Sequence, residues 1–570
     1  VEVTVFADIE QRRSLLRDRF AEWVPRTLGG WLDECAARYA DRSFVITDER
    51  TLTYADTERW ADRLADGLAA LGVRTGDRVG ILMANYLEFA PVKFAAAKAG
   101  AVAIPFNYLY RTDELGFVLA QSECSVLITM TGFSGLDYLA MLDQIAPGWE
   151  KGASAALPSL RHVVLLPADG RAVDGVLTVK GLAELGDRNP GLARSAATPD
   201  DIGDMLYTSG TTGSPKGVLV THDAVQRTAY ASALTRAFAD GWRVLFSLPC
   251  YHMFGYIEGL LAVMPVGGAV IPLTQFDPVR YFEGIQRHRA TDILCVPTMT
   301  VALLEHPRRS EYDLSSLRAI LSGAAPAPLW LWKRVRTELG ASEIVTGYGM
   351  TECGGAMTLS LPEDELSYAS GTVGRPKLAG SAGVPGADAI TEYKTIDPLT
   401  GKELPPHEEG ELVSRGPTIM AGFWNKPEET AAAFSEGRWL RSGDLGRVRE
   451  DGYLEVTGRS KELYKSGGEL VMPKEIEDLL SKAPGISQVF AIGIPDEWWG
   501  EAGCVCVVRA PDSAITADDV LALCKEKLAR FKVPKHVLFL DPADLPTTPT
   551  GKVQKYRLAT WARERLQETP

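Results

Sequence analysis

The 570-residue chain has no C-x-x-C pair, no long unbroken apolar run and no excess of positive charge, and each absence removes a class of function. Its eight cysteines, Cys35, Cys124, Cys250, Cys295, Cys353, Cys504, Cys506 and Cys524, are scattered along the chain. That spacing suits neither a zinc site nor a disulfide framework, and it predicts reduced thiols in a cytoplasmic protein. Cys504 and Cys506 fall on a predicted strand and are read as facing opposite sides of it. Lys and Arg number 60 against 74 Asp and Glu, a formal charge of −14, which argues against a nucleic-acid surface. An anionic ligand must then be held by local positive groups. The longest apolar stretch, 260–273, is broken by Pro265, Gly267, Gly268 and Pro272. It falls short of the ~20 residues a transmembrane helix needs, so no membrane span is expected. The N-terminal stretch lacks a basic region followed by an apolar run, and no signal peptide is expected.

What is present is length and alternation. At 46% hydrophobic composition the chain can bury several cores, enough for three or four lobes of ordinary domain size. Trp60, Leu64, Leu68 and Leu71 recur at helical spacing, Gly72 ends that helix, and Arg78 to Met83 reads as a strand. A helix over 88–99 then leads through Gly100 into a strand at Ala101 to Pro105. Further strands are predicted at 163–166, 292–296 and 319–321, between helical stretches. The class is therefore α/β with a largely parallel sheet. Beyond Gly458 the rhythm changes: a helix opened by Pro473, strands at 488–494 and 504–508, a helix near 516–530 with Thr516 and Asp519 as its capping pair, and a strand at 536–540. This tail reads as a small α+β domain.

The segment Leu206-Tyr-Thr-Ser-Gly-Thr-Thr-Gly-Ser-Pro-Lys-Gly-Val218 follows an apolar strand and is built to hold phosphate. Its glycines let backbone N–H groups approach an anion, Thr208, Ser209, Thr211 and Thr212 add donors, and Lys216 adds positive charge. It is not the P-loop pattern G-x-x-x-x-G-K-[ST], because Lys216 lies between Pro215 and Gly217. The segment resembles the signature of the acyl-adenylate-forming superfamily, in its acyl-CoA synthetase branch of AMP-dependent ligases. The resemblance runs from about Pro25 to Arg557. It implies a large N-terminal adenylate-forming domain of layered sheets and helices over 1–457, a hinge at 458–461, and a small mobile α+β C-terminal domain over 462–570.

The resemblance also assigns roles. Ser209, Gly210, Thr211, Thr212, Gly213 and Lys216 would cradle the phosphates of ATP. Gly347-Tyr-Gly-Met-Thr-Glu352 is similar to the second family motif, with Tyr348 and Gly349 at the adenine, Thr351 at the α-phosphate, and Glu352 holding Mg²⁺ with Thr208. One carboxylate and one hydroxyl suffice, since Mg²⁺ keeps several waters and phosphate oxygens. Ser322-Gly-Ala-Ala-Pro326 resembles the small-residue turn where Gly323, Ala324 and Ala325 line the adenine and acyl pockets. Asp444, in Arg441-Ser-Gly-Asp-Leu445, would accept from the ribose hydroxyls, with Arg459 as the second ribose contact. Lys552, in Leu545-Pro-Thr-Thr-Pro-Thr-Gly-Lys-Val-Gln-Lys555, corresponds to the catalytic lysine, and Lys461 to the hinge pivot. Lys465, Ser466, Gly467 and Gly468 would serve the thiol step.

Pro249-Cys-Tyr-His-Met-Phe-Gly-Tyr256 resembles the segment that lines the acyl pocket, with His252 as its aromatic gate. No Asp occurs between Leu248 and Ile257, where amino-acid-activating relatives place one, so a lipophilic acid (fatty, aromatic or alicyclic) is implied. One departure from the family pattern is the Gly/Ala-rich stretch Lys377 to Ala389, read as a tolerated surface loop that leaves the thiol step less secure. The expected reaction is ATP-dependent formation of acyl-AMP and pyrophosphate, then transfer to CoA as co-substrate. The alternatives left open are an enzyme that stops at acyl-AMP or passes it to a carrier protein or partner enzyme, and a non-catalytic acyl-nucleotide sensor. A homo-oligomer is also left open.

Overall fold

Apolar strands of four to seven residues, flanked by amphipathic helices, can hide both faces only inside a layered sheet, and the first part of the chain does this twice. The computed structural model describes residues 8–152, 154–208, 215–324, 327–398, 400–459, 462–466, 469–496, 500–528, 530–547 and 553–568, without side chains at 459, 465, 469, 470, 531, 567 and 568. Its contacts divide the chain into two compact units: Val1–Glu392 with Ser414–Leu440, and Tyr393–Val413 with Arg441–Pro570. The motif order sets the division at 457/458; the contacts group 441–457 with the second unit.

In the first unit, one seven-stranded sheet runs in the order Glu343–Val345, Ala319–Ser322, Asp292–Cys295, Arg243–Phe246, Ala269–Pro272, Ser43–Ile46, Thr51–Thr53. All neighbours are parallel except the last pair, a hairpin. The second seven-stranded sheet runs Gly422–Phe423, Lys216–Thr221, Ile202–Thr208, Val102–Pro105, Arg78–Leu82, Val126–Met130, His162–Leu166. Here the first two pairings are antiparallel and the rest parallel. The helix Tyr54–Ala70 buries Leu64 and Leu68, and Gly72 follows at φ 83°. The helix Phe89–Lys98 is buried almost throughout, including Lys93. No helix among the described residues is long and apolar enough to cross a membrane. The 260–273 stretch instead completes a buried π-helix, Phe254–Leu261, then a 3₁₀ turn and an inner strand.

The stretch 377–389 corrects an expectation, because most of it is not a surface loop. Lys377 is buried and donates to Glu258 Oε1 at 2.6 Å. Ala379 and Ala382 are fully buried, and Arg227 of the helix His222–Thr235 donates to the Ala382 carbonyl at 2.7 Å. Small side chains are what allow the backbone to lie this close to a helix; Ser381 and the turn 385–388 are exposed.

The second unit holds the antiparallel strands Trp439–Val448 and Leu454–Arg459, and a sheet in the order Glu469–Val471, Tyr464–Ser466, Gly500–Arg509, Ile486–Asp496, with His536–Phe539 parallel to Gly500–Arg509. Helices Pro473–Leu480 and Ala517–Lys527 cover one face, where Ile476, Leu480, Val520 and Cys524 pack on Val505 and Val507. Helix Lys555–Glu568 covers the other, where Leu558 and Ala562 pack on Ile492, Ile494, Cys504 and Cys506. The two cysteines thus share a face, against the expectation that they point apart. A strand has period two, so residues i and i+2 must agree.

Candidate active site

Thr208 ends the strand Ile202–Thr208, and its register partner on the next strand is Lys216. Thr208 and Lys216 therefore stand opposite one another on either side of residues 209–215. Lys216 Nζ lies 5.2 Å from the Phe423 ring centroid, and Gly217 accepts the Trp424 N–H at 2.8 Å, which pins the returning strand to its neighbour. The carboxyl end of Ile202–Thr208, which pairs in parallel with Val102–Pro105, lies where layered α/β folds usually bind ligands.

Three further segments gather around this strand pair. The turn Thr351–Cys353 packs against the strand Lys216–Thr221, and the Glu352 carbonyl accepts from Met420 N at 2.9 Å. Thr351 is buried and Glu352 half-buried. Gly354 follows at φ 89°, a conformation that keeps the turn tight and costs any other residue strain. Tyr348 and Gly349 lie on the strand Gly347–Met350, paired to Gly355–Leu359 with a bulge between them. A Cβ at 349 would collide with the Gly355 carbonyl and come within 2.6 Å of Ala356 Cα, so this motif glycine is fixed by strand packing as well as by any ligand.

The segment 249–257 meets the same turn. Gly355 faces Met253 Cβ at 3.5 Å and Ile257 Cγ1 at 3.7 Å, measured from the position a Cβ would take. Measured the same way, Gly323 faces Phe254 Cε1 at 3.8 Å and the Gly347 carbonyl at 3.4 Å. The small-residue turn thus sits between the aromatic segment and the Tyr348 strand. Ala324 holds φ 69°, a left-handed backbone that non-glycine residues seldom adopt and that clusters at functional sites. His252 is exposed, and its Nδ1 accepts from Phe254 N at 3.2 Å, which leaves the proton of the neutral ring on Nε2.

Behind the site, Asp204 lies four residues before Thr208 on the same face of its strand. Its carboxylate pairs with Lys93 Nζ at 3.0 Å and accepts from Tyr256 Oη at 3.0 Å, all three residues being wholly buried. Burial, and then the Asp204 charge, push the Tyr256 hydroxyl well above its ordinary range, so it stays a donor. A second buried group joins Arg236 to Asp292 at 2.6 Å and Lys377 to Glu258 at 2.6 Å. Burial lowers the Lys377 ammonium and raises the Asp292 carboxyl from their ordinary values.

In the second unit Asp444 is buried, and its N–H donates to Ser442 Oγ at 3.0 Å. Its register partner across the strand pair is Arg459, so the backbone places the two ribose candidates directly opposite. Glu411 organises this motif by accepting from Arg441 Nε at 3.0 Å and from Gly443 N at 3.0 Å.

Residues 32–424 match the AMP-binding enzyme family, and residues 475–552 match its C-terminal domain. The chain belongs to the AMP-binding enzyme family. It is 36% identical over 529 residues to a feruloyl-CoA synthase of Amycolatopsis sp, covering 93% of this chain and 97% of that protein. Among solved structures it is similar to the anthranilate CoA ligase AuaEII in complex with anthranoyl-AMP, at TM-score 0.79 and 26% identity, over 95% of this chain and 98% of that one. It is also similar to ATP-bound MatB from Rhodopseudomonas palustris, at TM-score 0.79 and 28% identity, over 93% and 98% of the two chains. The chain is an AMP-forming acid–thiol ligase of the acyl-CoA synthetase branch, and it uses ATP.

Within the ligase's first unit Thr208 pairs with Lys216, the turn holding Thr351 and Glu352 packs on the strand that Lys216 opens, and the turn of Gly323 and Ala324 faces the strand of Tyr348 and Gly349 and the segment carrying His252. Ser209, Gly210, Thr211, Thr212, Gly213, Ala325, Lys461, Gly467, Gly468 and Lys552 lie outside the described residues, as do the side chains of Arg459 and Lys465. Ser466 is buried and pairs in register with Gly500. Sequence reasoning missed Lys93, Asp204, Tyr256 and Glu411. Charged residues inside apolar runs were the available signal: Asp204 between Gly203 and Met205, and Glu411 between Gly410 and Leu412. Among the described residues, Asp33, Glu58 and Asp62 come within metal-ligand distance of one another, but Lys98 already pairs with Asp33 and Asp62.

Proposed function

We propose that the ligase activates an uncharged lipophilic carboxylic acid to acyl-AMP with release of pyrophosphate, then transfers the acyl group to CoA. The observation that carries the acid class is the fate of Glu258. It is the nearest carboxylate after the acyl segment 249–256, which has none of its own, and it is wholly buried against Lys377 and Arg236. An α-amino acid's ammonium would find no carboxylate there. The apolar side chains of Met253, Phe254 and Ile257 beside Gly323 and Gly355 suit an aromatic, alicyclic or fatty acyl group instead.

For the first half-reaction, Thr208 and Lys216 with the loop 209–213 serve the pyrophosphate side, Tyr348 and Gly349 the adenine, and Thr351 the α-phosphate. The turn 323–325 borders adenine and acid, and Asp444 with Arg459 holds the ribose. Glu352 and Thr208 offer hard oxygen donors of the kind Mg²⁺ prefers, and the ion when bound neutralises triphosphate charge. His252 gates the acid. The Lys552 ammonium stabilises the negative oxygens as the carboxylate attacks the α-phosphate. Lys461 is the pivot of a hinge at 458–461 between domains 1–457 and 462–570, and Lys465, Ser466, Gly467 and Gly468 serve the thiol step. Eight buried cysteines, none in a disulfide, support a reducing cytoplasmic location.

A panel of fatty, aromatic, alicyclic and amino acids, incubated with ATP and Mg²⁺ with or without CoA and read by mass spectrometry, tests this reading. Pyrophosphate, AMP and an acyl-CoA from lipophilic acids are expected. Acyl-AMP that persists in the presence of CoA would favour a carrier protein or partner enzyme as acceptor. No pyrophosphate from any acid would favour a nucleotide sensor.

A further inference from the structure

The second unit contains a partly buried ion triad that the reaction described so far does not use. Lys555, the first residue of the helix Lys555–Glu568, places Nζ 2.7 Å from Glu462 Oε2 and 2.8 Å from Glu477 Oε1. Glu477, on the helix Pro473–Leu480, also accepts the Ala491 N–H at 2.9 Å, which fixes it to the edge strand Ile486–Asp496. Burial alone would lower the Lys555 ammonium, but Glu477 and Glu462 outweigh it and hold the group charged, above its ordinary value. Burial, only partly offset by Lys555, raises the Glu477 carboxyl.

The members come from three parts of the chain, and their positions are informative. Glu462 directly follows the segment 458–461, and Lys555 is three residues after Lys552. The residues that flank 548–552 are joined by the antiparallel bridge Thr547↔Val553 and by Gln554 N donating to the Pro546 carbonyl at 2.7 Å. Beyond them Leu558 and Ala562 are buried in the core. One carboxylate would neutralise Lys555; two, one of them beside 458–461, tie these flanking residues to that segment. Without the ammonium, Glu462 and Glu477 would repel one another.

We propose that Lys555, clamped between Glu462 and Glu477, is a positioning residue for adenylation, holding the bridged residues on either side of 548–552 against the chain that follows 458–461. This rests on the reading of Lys552 as the adenylation lysine. The triad contributes no group to the reacting atoms; its effect is orientation, where a misplacement of about 1 Å can cost on the order of 10²-fold in rate.

The experiment measures both half-reactions, pyrophosphate release and acyl-CoA formation from supplied acyl-AMP, in the full-length enzyme with Lys555→Met, Lys555→Arg, Glu462→Gln, Lys552→Ala and the Lys552→Ala/Lys555→Met pair. Lys555→Met should lower kcat of adenylation by roughly 10-fold or more with the KM for ATP little changed and the thiol step within about twofold; misplacement acts on the transition state. Lys555→Arg should restore most of the rate, Glu462→Gln should repeat the Met phenotype more weakly, and the double variant should adenylate no more slowly than Lys552→Ala. Equal loss in both half-reactions with a lowered unfolding midpoint, or further loss in the double variant, would overturn the positioning role. If Lys552→Ala itself adenylates normally, the assignment of Lys552 fails. If Lys552→Ala is inactive and Lys555→Met is normal, only the positioning role fails.

Discussion

Two sets of buried charges support the ligase, and they differ in their access to water. In the first unit Lys93, Asp204, Arg236, Glu258, Asp292 and Lys377 are all at most 3% exposed. In the second, the side chains of Lys555, Glu462 and Glu477 are 18%, 30% and 14% exposed. A dry pair broken on one side leaves a charge with no solvent to receive it, whereas a half-wet triad can rehydrate. The first arrangement fixes a scaffold beneath the strand Ile202–Thr208 and the segment 249–258. The second can set geometry without carrying much of the stability.

The difference can be broken first at its dry end. Asp204→Ala strands Lys93 and the Tyr256 hydroxyl, and should destabilise the first unit by about 3–5 kcal/mol in denaturant unfolding. A loss as small as that of Lys555→Met would erase the contrast. Lys552→Ala comes next: adenylation should slow by roughly 10² to 10³-fold, as removal of one transition-state donor does, while supplied acyl-AMP still reacts with CoA.

A third test is pH. His222, buried in the first unit, receives the Leu28 N–H on Nδ1, and its imidazole is pushed from an ordinary value of 6.5 down to about 4 by burial and then by the Lys93 charge, against opposing pulls from Asp204 and Asp201. The folded state keeps the ring neutral while the unfolded chain takes up a proton below 6.5, so the unfolded state binds more protons between 6.5 and about 4. Stability is therefore present in full above that window and falls by on the order of 3 kcal/mol across it as pH drops. His222→Gln should flatten the slope of the unfolding midpoint between pH 7 and 4; an unchanged slope would assign it to other groups. The smallest effect belongs to the wet unit's surface. Thr516 caps the helix Ala517–Lys527 in a reciprocal box with Asp519, and Thr516→Ala should cost about 1 kcal/mol in stability with both half-reactions intact.

These contrasts also show what a sequence can reveal. The alternation of strands and helices is legible because local periodicity controls it: the strand expected at 319–321 is Ala319–Ser322, and the helix expected at 88–99 is Phe89–Lys98. The family is legible because its motifs carry residue types that serve a shared chemistry. Pairings are not, since nothing local announces that Lys93 will meet Asp204, or Lys555 a carboxylate 93 residues away. The stretch 377–389 misleads because Gly and Ala suit a loose loop and close backbone packing alike. Cys504 and Cys506 are a different case: the period-two rule already put them on one face.

The most direct test of the account is isotopic. With an accepted acid carrying ¹⁸O in its carboxylate, carboxylate attack on the α-phosphate followed by thiol attack on the carbonyl leaves one labelled oxygen in AMP. The account predicts AMP bearing one ¹⁸O together with unlabelled pyrophosphate and an acyl-CoA. Label appearing in orthophosphate alongside ADP, or unlabelled AMP, would contradict it.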